Sequence, residues 1–273
     1  MDKHVDISIV TPVFNSIRWI DLCVRSVRHA LQGLNYEHIV VDGGSTDGTL
    51  DYLNQQKDIR LIPGPDKGMY DALNKGMAIA RGRILGHLNA DEQYAREGLA
   101  HALAKLERTG ADAVFGPTIM LDEHLNFLYL FNQITVPRPI DADWHMPVQT
   151  CSFLFRRQIW ERCPYPDEYR VVGDHVWFRR QMKLGLNLVS VCKPIGIFTW
   201  HQDDIAKRLG SHGEDALRDV NRRTLSMRTA KLWFRLKHAL QAGLIPPPWL
   251  KYDWIHPSGQ VCTTKKILPK LGL

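Results

Sequence analysis

Three short acidic loops, each standing directly behind a strand pattern, constrain the fold of this chain more than any other feature. They are the DGGSTDG run from Asp42, the PDKG run from Pro65 and the NADE run from Asn89. Strand and helix patterns alternate around them. Residues 5–13 alternate and are β-branched, which reads as a strand. Ile17, Ile20, Val24, Val27 and Leu31 then recur at three and four, one face of a helix. Strands are predicted at 36–41, 59–62, 83–88 and 113–117, with helices at 49–56, 69–80 and 95–108 between them. This alternation argues for an α/β unit with a largely parallel sheet. Ligands bind such sheets outside the carboxyl ends of the strands, so the three loops are expected to meet at one edge.

After about residue 118 the pattern changes. A turn at 121–126 joins strands at 118–120 and 127–131, and a polar stretch containing prolines runs over 136–147. A strand is predicted at 149–155, a helix at 172–183 and two short strands within 187–200. Residues 204–242 read as largely helical, ended by the prolines at 246–248, which lack the amide donor and clash with the preceding turn. The chain divides into one domain over 1–204, in halves 1–117 and 118–204, and a helical extension over 205–273.

The 273 residues are 44% hydrophobic, enough for a sizeable core. No apolar run reaches the roughly 20 residues of a membrane-spanning helix, and the N-terminus has no secretory pattern. The five cysteines are scattered without a CxxC pair, as expected of reduced thiols in a cytoplasmic protein. Charge is uneven. From Ile205 onward there are 13 Lys/Arg and 4 Asp/Glu, a net of +9, which leaves 22 minus 25, or −3, for the rest. A basic tail behind a near-neutral body points to an anionic partner or to a solvated helix face. Basic residues from Arg218 to Lys237 interleave with Leu225, Met227, Leu232, Trp233, Phe234 and Leu236, the pattern of an amphipathic surface helix. The aromatic WLKYDWIHPSG segment suits a lipid interface, giving peripheral contact with the inner face of the cell membrane as the expectation. The alternative is that this region packs on the body. No nucleic-acid partner is expected.

Four constellations carry chemistry. Asp42 at a strand end before two glycines can accept from a nucleobase N–H, or simply cap a turn. Asp91 and Glu92 suit Mg²⁺ or Mn²⁺ shared with a diphosphate, or the N-cap of the next helix. Asp174, behind Gly173 at a helix start, can act as a general base or as a cap. His201 can bind metal or a phosphate oxygen, and Lys207 and Arg208 can neutralise phosphate charge. Trp144, Trp177 and Trp200 can stack on a sugar or base, or pack in the core.

Taken in order, ISIVTPVFNS, VVDGGSTDGT and PDKGMYDALNKGMAIARGRILGHLNADE resemble the family 2 inverting glycosyltransferases of GT-A fold. The likeness is close over 6–92 and looser through MPVQTCSFLFRR and YRVVGDHVWFRR, and it is nearest the bacterial polysaccharide and glycolipid branch. It implies a Rossmann-like three-layer sandwich, with 1–117 binding a nucleotide-sugar and 118–204 binding the acceptor. It implies that Thr11, Pro12 and Phe14 border the nucleoside, that Asp42 reads a uracil-like base with Ser45 in the same loop, and that Asp66, Lys67 and Asn74 belong to the segment closing over the donor. Asn89, Ala90 and Asp91 match the DxD-type metal motif, with Asn at its first position and Glu92 after it. Asp174 matches the catalytic base. Gln149 falls on the acceptor side, where Val148 stands in place of a frequent histidine. His201 lies where some relatives add a metal or diphosphate contact.

The resemblance therefore implies single displacement with inversion, helped by Mn²⁺ or Mg²⁺, from a UDP-sugar to a saccharide or lipid-linked acceptor. No nucleophile–base pair for a covalent intermediate is evident. Two other classes compete. A sugar nucleotidyltransferase would carry a glycine-rich basic phosphate loop after the first strand, where this chain has TPVFNSIRW. A decayed, non-catalytic carbohydrate- or lipid-binding scaffold would not need Asp42, Asp91 and Asp174 together.

Overall fold

A computed structural model describes residues 5–143, 146–201 and 249–267. A seven-stranded sheet forms the centre, in the order β10-β6-β9-β4-β1-β2-β3. Its strands are β1 (Ile7–Val13), β2 (Tyr36–Asp42), β3 (Ile59–Pro63), β4 (Ile84–His87), β6 (Ala113–Phe115), β9 (Phe153–Arg156) and β10 (Leu188–Ser190). Only β9 runs antiparallel to its neighbours β4 and β6; the remaining pairings are parallel. The expected α/β sandwich is therefore the fold.

Helices cover both faces. Alternation along β1 sends Ile7, Ile9 and Val13 toward α1 (Ile20–Ala30), α2 (Thr49–Asn54) and α4 (Arg96–Thr109). Val10 faces the other layer, built on α3 (Met69–Ile79), α5 (Arg157–Arg162) and α6 (Gly173–Lys183). Helix α1 starts later than its apolar spacing suggests. The Ser16 and Ile17 amides are claimed by Thr49 Oγ1 at 2.9 Å and Asp47 Oδ2 at 3.0 Å, so this stretch is stitched to the loop after β2. The strand expected over 149–155 is likewise shorter. Residues Thr150–Ser152 form a 3₁₀ turn before β9, which lets Ser152 Oγ accept from Gly196 N at 2.9 Å and bond Thr118 Oγ1 at 2.7 Å.

A second sheet has the order β5-β11-β7-β8, from β5 (Glu92–Tyr94), β7 (Thr118–Asp122), β8 (Phe127–Phe131) and β11 (Gly196–Trp200). It packs against Trp19, Leu22 and residues near the C-terminus, and here the expectation for the C-terminus needs correction. Residues 249–267 are not helical. They form an antiparallel hairpin of β12 (Trp249–Ile255) and β13 (Val261–Ile267). Leu250, Tyr252 and Ile255 are buried against Trp19, Leu22, Ala95, Ile119 and Ile197, and Ile255 N donates to Gln93 Oε1 at 2.7 Å. Alternation at period two explains the hairpin, and these three side chains pack on the body. The helix expected at 204–242, with Lys207, Arg208 and the prolines at 246–248, lies outside the described residues, as does Trp144. Among the described residues no helix is long and apolar enough to cross a membrane.

One ionisable group is held deep in this scaffold. Glu92 on β5 is 1% exposed; its Oε2 accepts from Asn89 N at 2.8 Å, and Oε1 has no protein partner among the described residues. Burial, then the Asp91 charge, push its carboxyl up to about 8.

Two stability measurements follow from this packing. Leu250→Ala should lose about 2–5 kcal/mol in urea unfolding, whereas the exposed Val261→Ser should stay within about 0.5 kcal/mol of the parent. The folded chain keeps the Glu92 proton to about 8, while an unfolded carboxyl releases it near 4.5, so the folded state binds the extra proton between those values. That contribution to stability is complete below 4.5 and is lost as pH rises toward 8. Melting of Glu92→Gln should accordingly fall less than that of the parent between about pH 5 and about pH 8.5.

Candidate functional site

The parallel register aligns the strand ends: Val13 lies opposite Asp42 and Asp42 opposite Pro63, while Val10 lies opposite His87. The loops after β1, β2, β3 and β4 consequently share one edge. Because β2 and β4 flank β1, the chain reverses its direction of winding between β1 and β4, where α/β sheets open a crevice.

Asp42 is fully buried at the end of β2. Its Oδ1 accepts from the amides of Gly44 at 3.0 Å and Ser45 at 2.9 Å, which fixes the carboxylate. Oδ2 is buried and has no protein partner among the described residues. An oriented carboxylate with one satisfied and one open oxygen is an acceptor built for an external N–H. Ser45 Oγ accepts from Asn15 N at 2.8 Å, tying the loops after β1 and β2 together. Asp66 comes from the neighbouring loop: a Cβ on Gly43 would lie 2.6 Å from its Oδ2, so glycine there admits this second carboxylate. Asp66 Oδ1 accepts from Gly68 N at 2.8 Å at the start of α3, and the exposed Lys67 donates its amide to Asp71 at 2.9 Å.

The residues from the first strand end diverge. Phe14 is 62% exposed and stands at the mouth of the edge, whereas Pro12 is buried within β1. The Thr11 side chain points into the core, with Oγ1 2.9 Å from His38 Nε2, so it makes no contact at the strand edge. Burial holds His38 down at about 4. Asn74 likewise has a structural occupation. Its Nδ2 donates to Tyr165 O at 2.8 Å, and its Oδ1 accepts from Tyr165 N at 3.1 Å and Trp160 Nε1 at 2.9 Å. Both ends of the amide hydrogen-bond within the protein.

After β4, the side chain of Asn89 accepts from His87 Nε2 at 2.8 Å, and Ala90 is buried in the core. Asp91 is partly exposed, and His201 Nε2 donates to its Oδ2 at 2.7 Å. Topology makes this pair: β5 and β11 are antiparallel, with Glu92 opposite Phe198, so the chain leaving β11 returns past Asp91. Trp19 stacks on the His201 ring at 5.2 Å, with Arg18 over its own indole at 4.5 Å. Among the described residues no group of three His, Cys, Asp or Glu gathers as a complete metal site.

Asp174 opens α6. Its Oδ1 accepts from Tyr70 Oη at 3.1 Å and from His175 N at 2.8 Å. His175 itself is buried and donates to Ala142 O at 2.6 Å, anchoring α6 to the 3₁₀ turn at Asp141–Asp143. His87, buried and held below the usual histidine range by that burial, feels the charges of both Asp174 and Asp91. Gln149 is partly buried just before the 3₁₀ turn, and its carbonyl accepts from Ser152 N at 3.0 Å. Trp177 is a core residue, stacked on Tyr165 at 4.6 Å, while Trp200 is 45% exposed beside His201. Sequence reasoning did not single out Tyr70 or Trp19. Tyr70 sits inside the PDKGMYDALNKG run, but nothing local shows that its hydroxyl reaches a residue 104 positions on.

This geometry agrees with comparison to known proteins. A model of the glycosyl transferase family 2 matches residues 8–180. A PGL/p-HBAD biosynthesis glycosyltransferase of Mycobacterium bovis is 38% identical over 186 residues, covering 61% of this chain and 66% of that relative, just under two thirds of its length. Two solved structures share the fold. S. aureus TarS 1-349 in complex with UDP-GlcNAc has a TM-score of 0.56 at 18% identity, over 73% of this chain and 60% of that one. The mannosyltransferase PcManGT from Pyrobaculum calidifontis, in complex with GDP-Man and Mn2+, has a TM-score of 0.53 at 20% identity, over 80% and 61%. The expected GT-A fold is thereby the fold of this chain, and the chain belongs to glycosyl transferase family 2.

Proposed function

We propose that this chain transfers a sugar, with inversion, from a UDP-sugar to a hydroxyl of a saccharide or lipid-linked acceptor in glycolipid or polysaccharide synthesis. The observation that carries the donor assignment is Asp42. One of its oxygens is saturated by loop amides and only the other is open. A single open acceptor matches the one imide N–H of uracil better than the paired donors of guanine. Solved relatives of this fold carry UDP-GlcNAc or GDP-Man, consistent with a nucleoside diphosphate at this edge. The glycolipid context draws on the mycobacterial PGL/p-HBAD biosynthesis glycosyltransferase. An acceptor of that kind is presented at a membrane surface, which keeps peripheral contact with the inner face of the cell membrane within the proposal.

Asp91 and His201 fit a divalent cation. They hydrogen-bond each other at 2.7 Å; a cation would take the place of the Nε2 proton and find there a carboxylate oxygen and an imidazole nitrogen, and one shared with a diphosphate needs few protein ligands. PcManGT holds Mn2+, so Mn²⁺ or Mg²⁺ is the expected cofactor. When bound, such an ion offsets the charge that grows on the leaving diphosphate. The remaining work falls to side chains. Asp42 and Asp66 hold the nucleoside, which fixes the anomeric carbon relative to α6. Asp174 takes the proton of the acceptor hydroxyl as it attacks opposite the leaving group. No covalent enzyme intermediate is required.

Calorimetry with UDP, GDP and their sugars, in Mn²⁺ and then in EDTA, tests the donor site. Binding of a uridine diphosphate that needs the metal and vanishes in Asp91→Ala is the expected result; folded protein that binds none of the panel returns the decayed-scaffold reading. In turnover assays Asp174→Asn should lose about 10²–10⁴-fold in kcat while donor affinity stays within a factor of about three. A large loss of donor affinity in that variant instead would remove the base assignment.

A further inference from the structure

Tyr70 is a fully buried side chain whose hydroxyl points at the one carboxylate proposed to move a proton. It is the second residue of α3, two positions beyond Gly68, whose amide caps Asp66. Its Oη lies 2.8 Å from Val171 O and 3.1 Å from Asp174 Oδ1. The single hydroxyl proton is therefore shared between a backbone carbonyl and the carboxylate. An ionised acceptor attracts such a proton more strongly than a carbonyl does.

The ring has little freedom to move. A Cβ on Gly173 would lie 2.6 Å from two of its carbons, so the first turn of α6 rests directly on the ring. Tyr165 stacks on it at 6.0 Å from the other direction and on Trp177 of α6 at 4.6 Å. Asn74, one turn further along the same face of α3, holds Tyr165 by both its N–H and its carbonyl. A hydroxyl so fixed cannot follow the carboxylate; the carboxylate must follow the hydroxyl. Both hydrogen bonds recorded for Asp174 among the described residues fall on Oδ1, which leaves Oδ2 for the acceptor proton.

We propose that Tyr70 is the positioning residue of Asp174, orienting its carboxylate through Oδ1 and coupling it, through α3, to the loop that carries Asp66. The proposal rests on Asp174 being the base. The titratable groups facing Asp174 are Tyr70 on α3, Tyr165 ahead of α6 and His87 on β4. Burial first, and the Asp174 charge next, push both tyrosines well above the usual range, so they stay protonated donors. His87 is pushed down by burial and is uncharged near neutrality.

The test reads the Asp174 carboxyl directly, by carbon NMR titration of full-length protein labelled at aspartate, with the resonance assigned by its loss in Asp174→Asn. In Tyr70→Phe, which keeps the ring, the Asp174 signal should titrate at higher pH than in the parent. Placing 3-fluorotyrosine at position 70 keeps the ring and hydroxyl but strengthens the donor, and should move the titration the other way. An Asp174 titration unchanged in both overturns the proposal. In turnover of UDP-GlcNAc, UDP-glucose or GDP-mannose, Tyr70→Phe should lower kcat by about tenfold with donor affinity unchanged, as expected for a lost hydrogen bond to a charged group. Full turnover in Asp174→Asn would remove the base assignment, and would do so whatever the NMR titration shows.

Discussion

Parallel pairing on both sides of β1 is the constraint on which the rest of the site depends. With β2 and β4 in register beside it, four strands deliver their carboxyl ends to one edge, and four loops from distant parts of the sequence become neighbours. Parallel strand ends also leave backbone amides in the loops without ladder partners. Asp42 turns that into an advantage, because satisfying Gly44 and Ser45 with one oxygen orients the other. Burial of a carboxylate at this place costs stability, and the loop amides offset the cost on one side only, which is the pattern of a group waiting for a ligand.

The antiparallel second sheet solves a different problem. Asp91 stands after β4, and the side chain that bonds it comes from elsewhere in the chain. Pairing of β11 with β5 brings His201 back to Asp91 across 110 positions. The C-terminal hairpin then packs against Trp19, which stacks on the same histidine. The hairpin is thus part of the floor beneath the site. Glu92 marks how tightly this region is packed, since its carboxyl is enclosed completely next to the more exposed Asp91.

Helix α3 joins the two halves. One face carries Tyr70 and Asn74, a turn apart, whose side chains bond Val171, Asp174, Tyr165 and Trp160. The opening of the same helix is held by Asp66, whose Oδ1 accepts from Gly68 N. A helix is stiff over this length, so the spacing between the Asp66 loop and Asp174 is set in part by one rigid element.

Local patterning alone determined the class of this protein. Period-two and period-3.6 spacing located the strands and helices through residue 117 apart from the short β5, and the acidic loops behind the strands do gather at their carboxyl edge. The hairpin at 249–267 escaped that reading, since its aromatic and basic composition fits a lipid surface as well as a packed sheet, and only contact with Trp19 and Leu22 separates the two. The roles of individual polar residues were decided by tertiary structure. Thr11 and Asn74 lie within the motifs that carry the family resemblance, yet their side chains turn to His38 and Tyr165, while Tyr70 between them reaches Asp174. A side chain's direction depends on which face of its strand or helix meets which neighbour, and those neighbours are up to a hundred or so positions away in the chain.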